Sequence, residues 1–222
     1  SGTAQGSSPS LFPHQARGVE FLRGTPRALL ADEMGLGKTA QAIISLEGVS
    51  PVLVISPASV TGVWERELQT WASGVPCRAL RGSLVERREA LQEPYSGWTI
   101  MNYEVVAKLL PDLLRHPWAG LVLDEAHRVK NRQAQVTKAV QRLSRSIPRR
   151  VLLTGTPILN RPDDLWSLLN ILYPERYRSY WRFVNRFCEV AWNGYGWEVG
   201  GPRAPEALRQ EISPFYLRRE KE

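Results

Sequence analysis

The sequence predicts an α/β protein with a doubly wound, mostly parallel sheet and a C-terminal helical extension. Three observations predict this class. Short apolar runs alternate with amphipathic segments, the interior of each run is apolar, and only helical patterns are clear after Thr156. Strands that are apolar throughout are typical of parallel sheets, in which helices cover both faces. Alternation of such strands with helices favours the doubly wound arrangement, and 222 residues suit one large α/β domain or two small ones.

Five apolar runs are predicted as strands because each is short, rich in β-branched residues or leucine, and ends in a polar or small residue. They are Arg27–Ala31, Val52–Ser56, Trp98–Asn102, Gly120–Asp124 and Arg150–Thr154. Helical periodicity predicts six helices: Pro13–Leu22, Lys38–Leu46, Val63–Trp71, Leu84–Leu91, Val105–Leu114 and Ala134–Leu143. Trp64 and Trp71 lie seven residues apart on one helical face, so we expect both in the core rather than stacked on bases.

The C-terminal third is predicted to be helical, with no clear parallel strand. Its predicted helices are Asp163–Leu172, Ser179–Phe187 and Pro205–Ile212. The glycine-rich, aromatic segment Trp192–Gly201 predicts a small hairpin or a loop. The predicted organisation is a flexible leader at residues 1–10, a nucleotide-binding core at 11–160, a helical extension of that core at 161–217 and the start of a linker at 218–222.

The composition limits the classes of binding partner and the cellular compartment that we expect. The net charge is +7 with 29 lysines and arginines, of which five are lysine, leaving 29 − 5 = 24 arginines. Clustered basic charge favours polyanions, and arginine binds two phosphate oxygens at once. A GC-rich genome explains the arginine excess equally well. No stretch approaches the roughly 20 apolar residues of a membrane helix, no secretory signal is present, and two cysteines indicate a reducing compartment, so we expect an intracellular protein without a membrane partner.

The strongest local signal is Ala31–Thr39, ADEMGLGKT, between a predicted strand and a predicted helix, which is the context of a phosphate-binding loop. The helix N-terminus adds partial positive charge. Lys38 is expected to reach the β- and γ-phosphates, and Thr39 to bind Mg²⁺ through its hydroxyl. The candidate nucleotide-binding residues of the loop are Gly35, Leu36, Gly37, Lys38, Thr39 and Ala40. Asp32 replaces the first glycine of the G-x-x-x-x-G-K-[ST] pattern, and the alternative is a chance Gly-Lys-Thr turn.

An acidic pair ends the predicted strand in Leu121–His127, LVLDEAH. In doubly wound sheets ligands bind at the carboxyl ends of the strands. Asp124 is expected to hold Mg²⁺ through water, and Glu125 to orient and deprotonate the attacking water. A polar strand end that caps the next helix is the alternative. His127 is ambiguous between a structural histidine and a link from the γ-phosphate site to the next motif.

The segment Val151–Pro157, VLLTGTP, is a third strand end with polar side chains. Its hydroxyl groups are placed to hydrogen-bond to the acidic strand and to sense the nucleotide state. The candidate coupling residues are therefore His127, Thr154, Gly155 and Thr156. An ordinary turn capped by threonine explains the same pattern.

Together these motifs resemble the Swi/Snf-related branch of superfamily-two helicases and translocases, over nearly the whole chain after residue 10. The matching segments are Leu11–Leu22 (adenine recognition, with Gln15 as the base reader), Asp32–Thr39 (the family's form of the phosphate loop), Val52–Trp71 and Ile100–Glu104 (nucleic-acid tracking), Asp124–Asn131, Leu153–Asn160, and Phe215–Lys221 (the junction between two motor lobes). Trp192–Gly201 matches least, and it is similar to the annealing-helicase-like, distant branch.

The resemblance implies the N-terminal RecA-like lobe of an ATP-dependent translocase or remodeller that uses ATP and Mg²⁺. The implied partners are double-stranded DNA, with RNA not excluded, and a second RecA-like lobe that supplies arginine fingers. Contacts with nucleic acid would go to phosphates, and the candidates are Ser56, Ser59, Asn102, Tyr103, Lys130 and Arg132. A solvated basic turn is the alternative for Lys130 and Arg132.

Weak or no hydrolysis is expected from this lobe alone. Two other function classes stay open at this point: a non-motor P-loop binding or regulatory module, and a small-molecule kinase. The intact phosphate loop and acidic pair argue against the first, and the DEAH and LTGTP motifs argue against the second, because a kinase has no use for this relay.

Overall fold

The computed structural model describes residues 9–221, so most of the predicted leader lies outside the described residues. Within that range a seven-stranded sheet with the order β3-β4-β2-β5-β6-β1-β9 has parallel pairing throughout. Two further strands, β7 and β8, form a separate antiparallel hairpin. The strands are β1 Arg27–Leu30, β2 Val52–Ser56, β3 Cys77–Ala79, β4 Trp98–Asn102, β5 Gly120–Leu123, β6 Arg149–Leu153, β7 Cys188–Trp192, β8 Trp197–Pro202 and β9 Tyr216–Leu217.

Helices cover both faces of the sheet, and the predicted α/β fold with a parallel sheet is confirmed. The helices are α1 Pro13–Gly24, α2 Lys38–Ser45, α3 Thr61–Trp71, α4 Leu84–Ala90, α5 Val106–Leu113, α6 Gln135–Ser144, α7 Pro162–Leu172, α8 Tyr180–Phe187 and α9 Pro205–Ile212. Strand β2 shows how one strand serves two cores: Val52 and Val54 pack with α1, α2 and α3, whereas Leu53 and Ile55 pack with α5 to α9. In the part of the chain that the structure describes, no helix is long and apolar enough to cross a membrane.

Two sheet strands were not predicted, and both are short edge strands. β3 is three residues long, half-buried and contains Arg78, so it has no apolar run. β9 pairs with β1 through Leu29↔Tyr216 and Leu30↔Leu217. The C-terminal third therefore contains one parallel strand, which was not clear in the sequence because two residues are too few to show a pattern. Of the two options for Trp192–Gly201, the structure has the hairpin.

The order of the strands decides which motifs meet. The carboxyl ends of β1, β6 and β5 are neighbours, and they lead into the phosphate loop, Thr154 and Asp124. The carboxyl ends of β5, β2 and β4 are also neighbours, and β2 and β4 end at Ser56 and Asn102. One edge of the sheet thus presents the predicted nucleotide residues on one side of β5 and the predicted nucleic-acid residues on the other.

Candidate functional site

The phosphate loop has a backbone that only glycine adopts freely. Gly35 and Gly37 have φ of +85° and +76°, in the left-handed region. Helix α2 begins directly after Gly37, so its first N–H groups have no partner within the helix and face the loop. The Gln15 amide packs on Gly37, where any Cβ would collide with it. The predicted base reader and the predicted phosphate cradle are therefore in contact.

Lys38 lies at the centre of this loop. Its Nζ donates to the carbonyl oxygens of Asp32 at 2.8 Å and Glu33 at 3.3 Å. Burial lowers the pKa of Lys38, and the carboxylates of Glu125, Asp32 and Asp124 act in the opposite direction. A Cβ on Gly155 would lie 3.6 Å from the same Nζ. The lysine of the first motif, the acidic pair of the second and the glycine of the third therefore share one site.

Asp124 is held in place from three sides. The Trp64 indole N–H donates to Oδ2 at 2.9 Å, and the Glu125 backbone N–H donates to Oδ1 at 2.9 Å. The Tyr103 hydroxyl donates to the Asp124 carbonyl at 2.5 Å. Burial raises the pKa of the Asp124 carboxyl, an effect that the Trp64 hydrogen bond and Lys38 oppose. This carboxylate is partly buried, oriented and close to a lysine, as a group that meets a metal ion would be.

Glu125 has the only positive φ, +49°, among the non-glycine residues that the structure describes. Such a backbone costs of order 1–3 kcal/mol, and strain of this kind clusters at functional sites. The conformation turns the chain sharply after β5, and Glu125 Oε2 lies 3.4 Å from His127 Nδ1. No sequence pattern predicts this strain.

His127 joins the acidic strand to the coupling strand. Its Nδ1 lies 3.3 Å from Thr154 Oγ1 and 3.5 Å from Thr156 Oγ1. Thr156 N–H donates to Thr154 Oγ1 at 3.2 Å, which fixes the turn. The ring therefore contacts the acidic residue and both threonines through Nδ1, which is the geometry that the predicted link requires.

The predicted nucleic-acid residues follow the ends of β4, β2 and β5, but they differ in exposure. Ser56 and Tyr103 are buried, and Tyr103 is committed to Asp124. Asn102 accepts from Arg87 at 2.5 Å and donates to Glu104 at 2.5 Å, whereas Ser59 is exposed. Of the basic pair, Lys130 lies 3.4 Å from Asp164, and the Arg132 guanidinium lies 4.0 Å from the Tyr180 ring centroid.

A magnesium ion that is bound mainly by nucleotide fits this donor set. Among residues 9–221, no group of three or more His, Cys, Asp or Glu residues is arranged to hold a metal ion. Mg²⁺ usually keeps several waters and takes one or two protein oxygens plus substrate phosphates. Asp124, directly after β5, and the Thr39 hydroxyl in the first turn of α2 are the two oxygen donors that would fill this role.

Trp64 was expected to be a core residue, and it is fully buried, but its indole also holds the candidate magnesium ligand. We expect Trp64→Phe to lower the free energy of unfolding by about 2 kcal/mol, because Asp124 Oδ2 loses its donor while it remains partly buried. Urea unfolding followed by circular dichroism measures the change.

Trp71→Phe is the matched control in the same helix. Trp71 donates to Glu67 at 3.0 Å, and it is only half-buried. We expect this change to cost less than about 1 kcal/mol, since the half-exposed Glu67 carboxylate regains its hydrogen bond from water. Equal losses for the two variants would show that the Trp64 indole N–H contributes nothing specific.

Comparison with known proteins shows which family this chain is similar to. A sequence model described as the SNF2-related domain matches residues 14–222. The ISWI chromatin-remodeling complex ATPase ISW1 of Saccharomyces cerevisiae is 32% identical over 224 residues, which cover 94% of this chain and 19% of the relative. Chromodomain-helicase-DNA-binding protein 6 of Homo sapiens is 32% identical over 241 residues, which cover 97% of this chain and 8% of the relative.

A solved structure agrees with the fold. The Sulfolobus solfataricus SWI2/SNF2 ATPase core in complex with dsDNA matches with a TM-score of 0.82 at 33% identity, over 96% of this chain and 45% of that chain. The chain therefore spans less than half of that solved structure, and 19% and 8% of the two sequence relatives.

Proposed function

This chain belongs to the SNF2-related family, and on that premise we propose that it is the first ATP-binding lobe of an ATP-dependent translocase or remodeller that moves on double-stranded DNA. The observation that supports the proposal most strongly is the meeting of Lys38, the pair Asp124 and Glu125, and Gly155 at the carboxyl ends of three neighbouring strands. Strand ends of this kind are where doubly wound sheets bind their ligands.

In the proposed site each group has one task. Backbone N–H groups of Gly35 to Thr39 bind the β- and γ-phosphates, Lys38 neutralises their charge, and Gln15 contacts the adenine. Thr39 and Asp124 would hold Mg²⁺, which would offset the negative charge that builds up on the phosphates. Glu125 orients a water and takes its proton as the water oxygen attacks the γ-phosphorus and the bond to the bridging oxygen breaks.

Coupling would run through His127. Its Nδ1 lies within 3.5 Å of Glu125 Oε2 and of the hydroxyl oxygens of Thr154 and Thr156. A change at the γ-phosphate that moves Glu125 would therefore shift the turn after β6. Residues from 218 onwards would begin a linker to a second lobe, and that lobe would supply the arginine fingers.

The proposed DNA surface lies at the ends of β4, β2 and β5, and its exposed or half-exposed side chains are Ser59, Asn102, Lys130 and Arg132. Ser56 and Tyr103 are buried, so they would support this surface from inside the sheet and not contact the DNA themselves. These contacts would go to phosphates, so they would be insensitive to sequence and sensitive to salt.

We expect the chain to bind duplex DNA with an affinity that falls steeply with salt, and the double variant Lys130→Ala/Arg132→Ala to reduce the slope of log K against log salt by about 2. Each lost phosphate contact removes roughly 0.9 from that slope. Fluorescence anisotropy with one labelled duplex at several salt concentrations measures it.

Arg23→Ala is the control, because Arg23 is an exposed arginine at the end of α1, where it pairs with Glu47 away from the carboxyl ends of the strands. It should leave the slope unchanged. An unchanged slope in the double variant would favour the solvated basic turn over a DNA contact.

Parallel titrations of Mg-ATP and duplex DNA test the function class. A motor lobe should bind both. A regulatory P-loop module should bind the nucleotide with no response to DNA, and a small-molecule kinase should ignore DNA and transfer phosphate to a small acceptor. A chain that binds Mg-ATP but does not bind duplex DNA at low salt would therefore contradict the proposal.

A further inference from the structure

Asp32, which replaces a glycine of the general phosphate-loop pattern, is the acceptor of a buried ion pair. Its carboxylate is fully buried, and both oxygens are bound by Arg219. The Arg219 Nε donates to Oδ1 at 3.0 Å, its NH2 donates to Oδ2, and its backbone N–H donates to Oδ1 at 2.9 Å. Such a bidentate pair fixes both geometry and charge. A buried carboxylate without this partner would be strongly unfavourable.

The same guanidinium reaches two other segments of the proposed nucleotide site. Its NH1 donates to the His14 carbonyl, next to the predicted base reader Gln15. Its NH2 donates to Gln41 Oε1 at 2.8 Å, and Gln41 in turn donates to the Leu36 carbonyl of the phosphate loop at 3.0 Å. One side chain therefore binds the start of α1, the start of the phosphate loop and α2.

A glycine makes room for this cluster. Gly18 lies buried in α1, and a Cβ at that position would collide with Gln41 Oε1 and lie 2.8 Å from Arg219 NH2. The close approach of α1 to Arg219 is therefore built into the packing of the helix, and it does not depend on one exposed side chain.

Arg219 arrives at the site because the C-terminal segment runs along β1 beyond β9. The N–H groups of Leu29, Ala31 and Glu33 donate to the carbonyl oxygens of Phe215, Leu217 and Arg219 at 2.8, 2.7 and 2.9 Å. The Lys221 N–H then donates to Glu33 Oε2 at 2.8 Å. A Cβ on Gly35 would lie 2.7 Å from Lys221 Nζ, so the segment reaches the phosphate loop itself.

We propose that Arg219 is a positioning residue that holds the nucleotide cradle in its binding shape through Asp32 and Gln41, so that nucleotide binding and docking of residues 215–221 are coupled. The proposal rests on the proposed function, since it requires that the chain binds a nucleotide at this loop. Coupling of this kind is reciprocal: the docked segment raises the affinity for nucleotide, and bound nucleotide stabilises the docked segment by the same factor.

Arg219→Gln tests the proposal in this chain, with Mg-ATP affinity measured by calorimetry at a temperature where circular dichroism shows the variant folded. We expect an affinity loss of about 10-fold, within the usual range of coupling between two sites. Arg149→Gln is the matched control. Arg149 donates to the Leu22 and Arg23 carbonyls at the other end of α1, at 3.0 and 3.4 Å. The control substitution therefore removes the same charge at a place away from the cradle, and it should leave the affinity for Mg-ATP unchanged.

Hydrogen exchange distinguishes a positioning role of Arg219 that is linked to nucleotide from a role in stability alone. In the wild-type chain, Mg-ATP should slow exchange at the Arg219 and Lys221 amides, and in Arg219→Gln this slowing should be lost. Arg219→Lys keeps the charge, and it should recover part of both effects. This variant also serves as the test protein if Arg219→Gln does not fold.

The outcomes distinguish a failure of the proposed function from a failure of the positioning role of Arg219. No binding of Mg-ATP by the wild-type chain would overturn the proposed function and this proposal with it. Wild-type binding together with an affinity within two-fold in the folded Arg219 variants, or equal slowing of exchange in them, would overturn the positioning role alone.

Discussion

ATP turnover by the chain alone is expected to stay at or below about 10⁻² s⁻¹ at saturating Mg-ATP and duplex DNA. Enzymes typically turn over near 10 s⁻¹, and arginine fingers contribute about 10³–10⁵ in rate where they are used. Arg218 acts on the pKa of Lys38, but its guanidinium donates to the Ala31 carbonyl at 2.8 Å and pairs with Glu220. It is therefore not free to act as a finger. Phosphate release measured with and without duplex DNA gives the rate.

The control for this experiment is Glu125→Gln, which removes the proposed base while it keeps the shape of the side chain. Any turnover that survives in this variant comes from contaminating ATPases and is subtracted. Turnover of about 1 s⁻¹ or more that depends on Glu125 and rises with DNA would contradict the expectation, because it would mean that one lobe contains the complete catalytic machinery.

Much of the site could be predicted because its groups sit at strand ends. Lys38, Asp124 and Thr154 each follow a strongly apolar run, and a parallel sheet brings the ends of such runs to one edge. Strand prediction and motif spacing were therefore enough to place these three residues near one another. The contacts of His127 with both threonines follow from the same arrangement.

The rest depends on contacts between residues that are distant in sequence, which no local pattern encodes. The pair of Asp32 and Arg219 joins positions 187 apart, and it depends on the pairing of β9 with β1. Periodicity places Trp64 in the core but does not show that its indole N–H meets Asp124. Likewise, the αL backbone of Glu125 appears only in the structure.

The predicted nucleic-acid contacts illustrate the limit of carrying over motifs by position. Tyr103 belongs to a segment that resembles a tracking motif, but its side chain is buried, and burial raises its pKa well above the usual value. The phenol therefore acts as a hydrogen-bond donor to Asp124 from inside the sheet edge. Tyr103 thus links the proposed DNA surface to the proposed magnesium ligand through a hydrogen bond that only the structure shows.

Lys38→Ala is expected to weaken Mg-ATP binding by about 10- to 100-fold. A hydrogen bond to a charged group contributes about 1.5–3 kcal/mol, and each 1.4 kcal/mol is tenfold in affinity. The carbonyl oxygens of Asp32 and Glu33 accept hydrogen bonds from Lys38 Nζ at 2.8 and 3.3 Å, so a triphosphate would meet an amino group that is already positioned. Lys138→Ala, which removes an exposed lysine from α6, should leave the affinity unchanged.

The proposed ATP site requires that the phosphate loop and the acidic pair converge on one magnesium-bound triphosphate. Its most direct test is calorimetric titration of Mg-ATP into the wild-type, Lys38→Ala and Lys138→Ala chains. The predicted result is wild-type affinity in Lys138→Ala and the large loss in Lys38→Ala alone. Affinity in a folded Lys38→Ala chain within two-fold of the wild-type value would contradict the account.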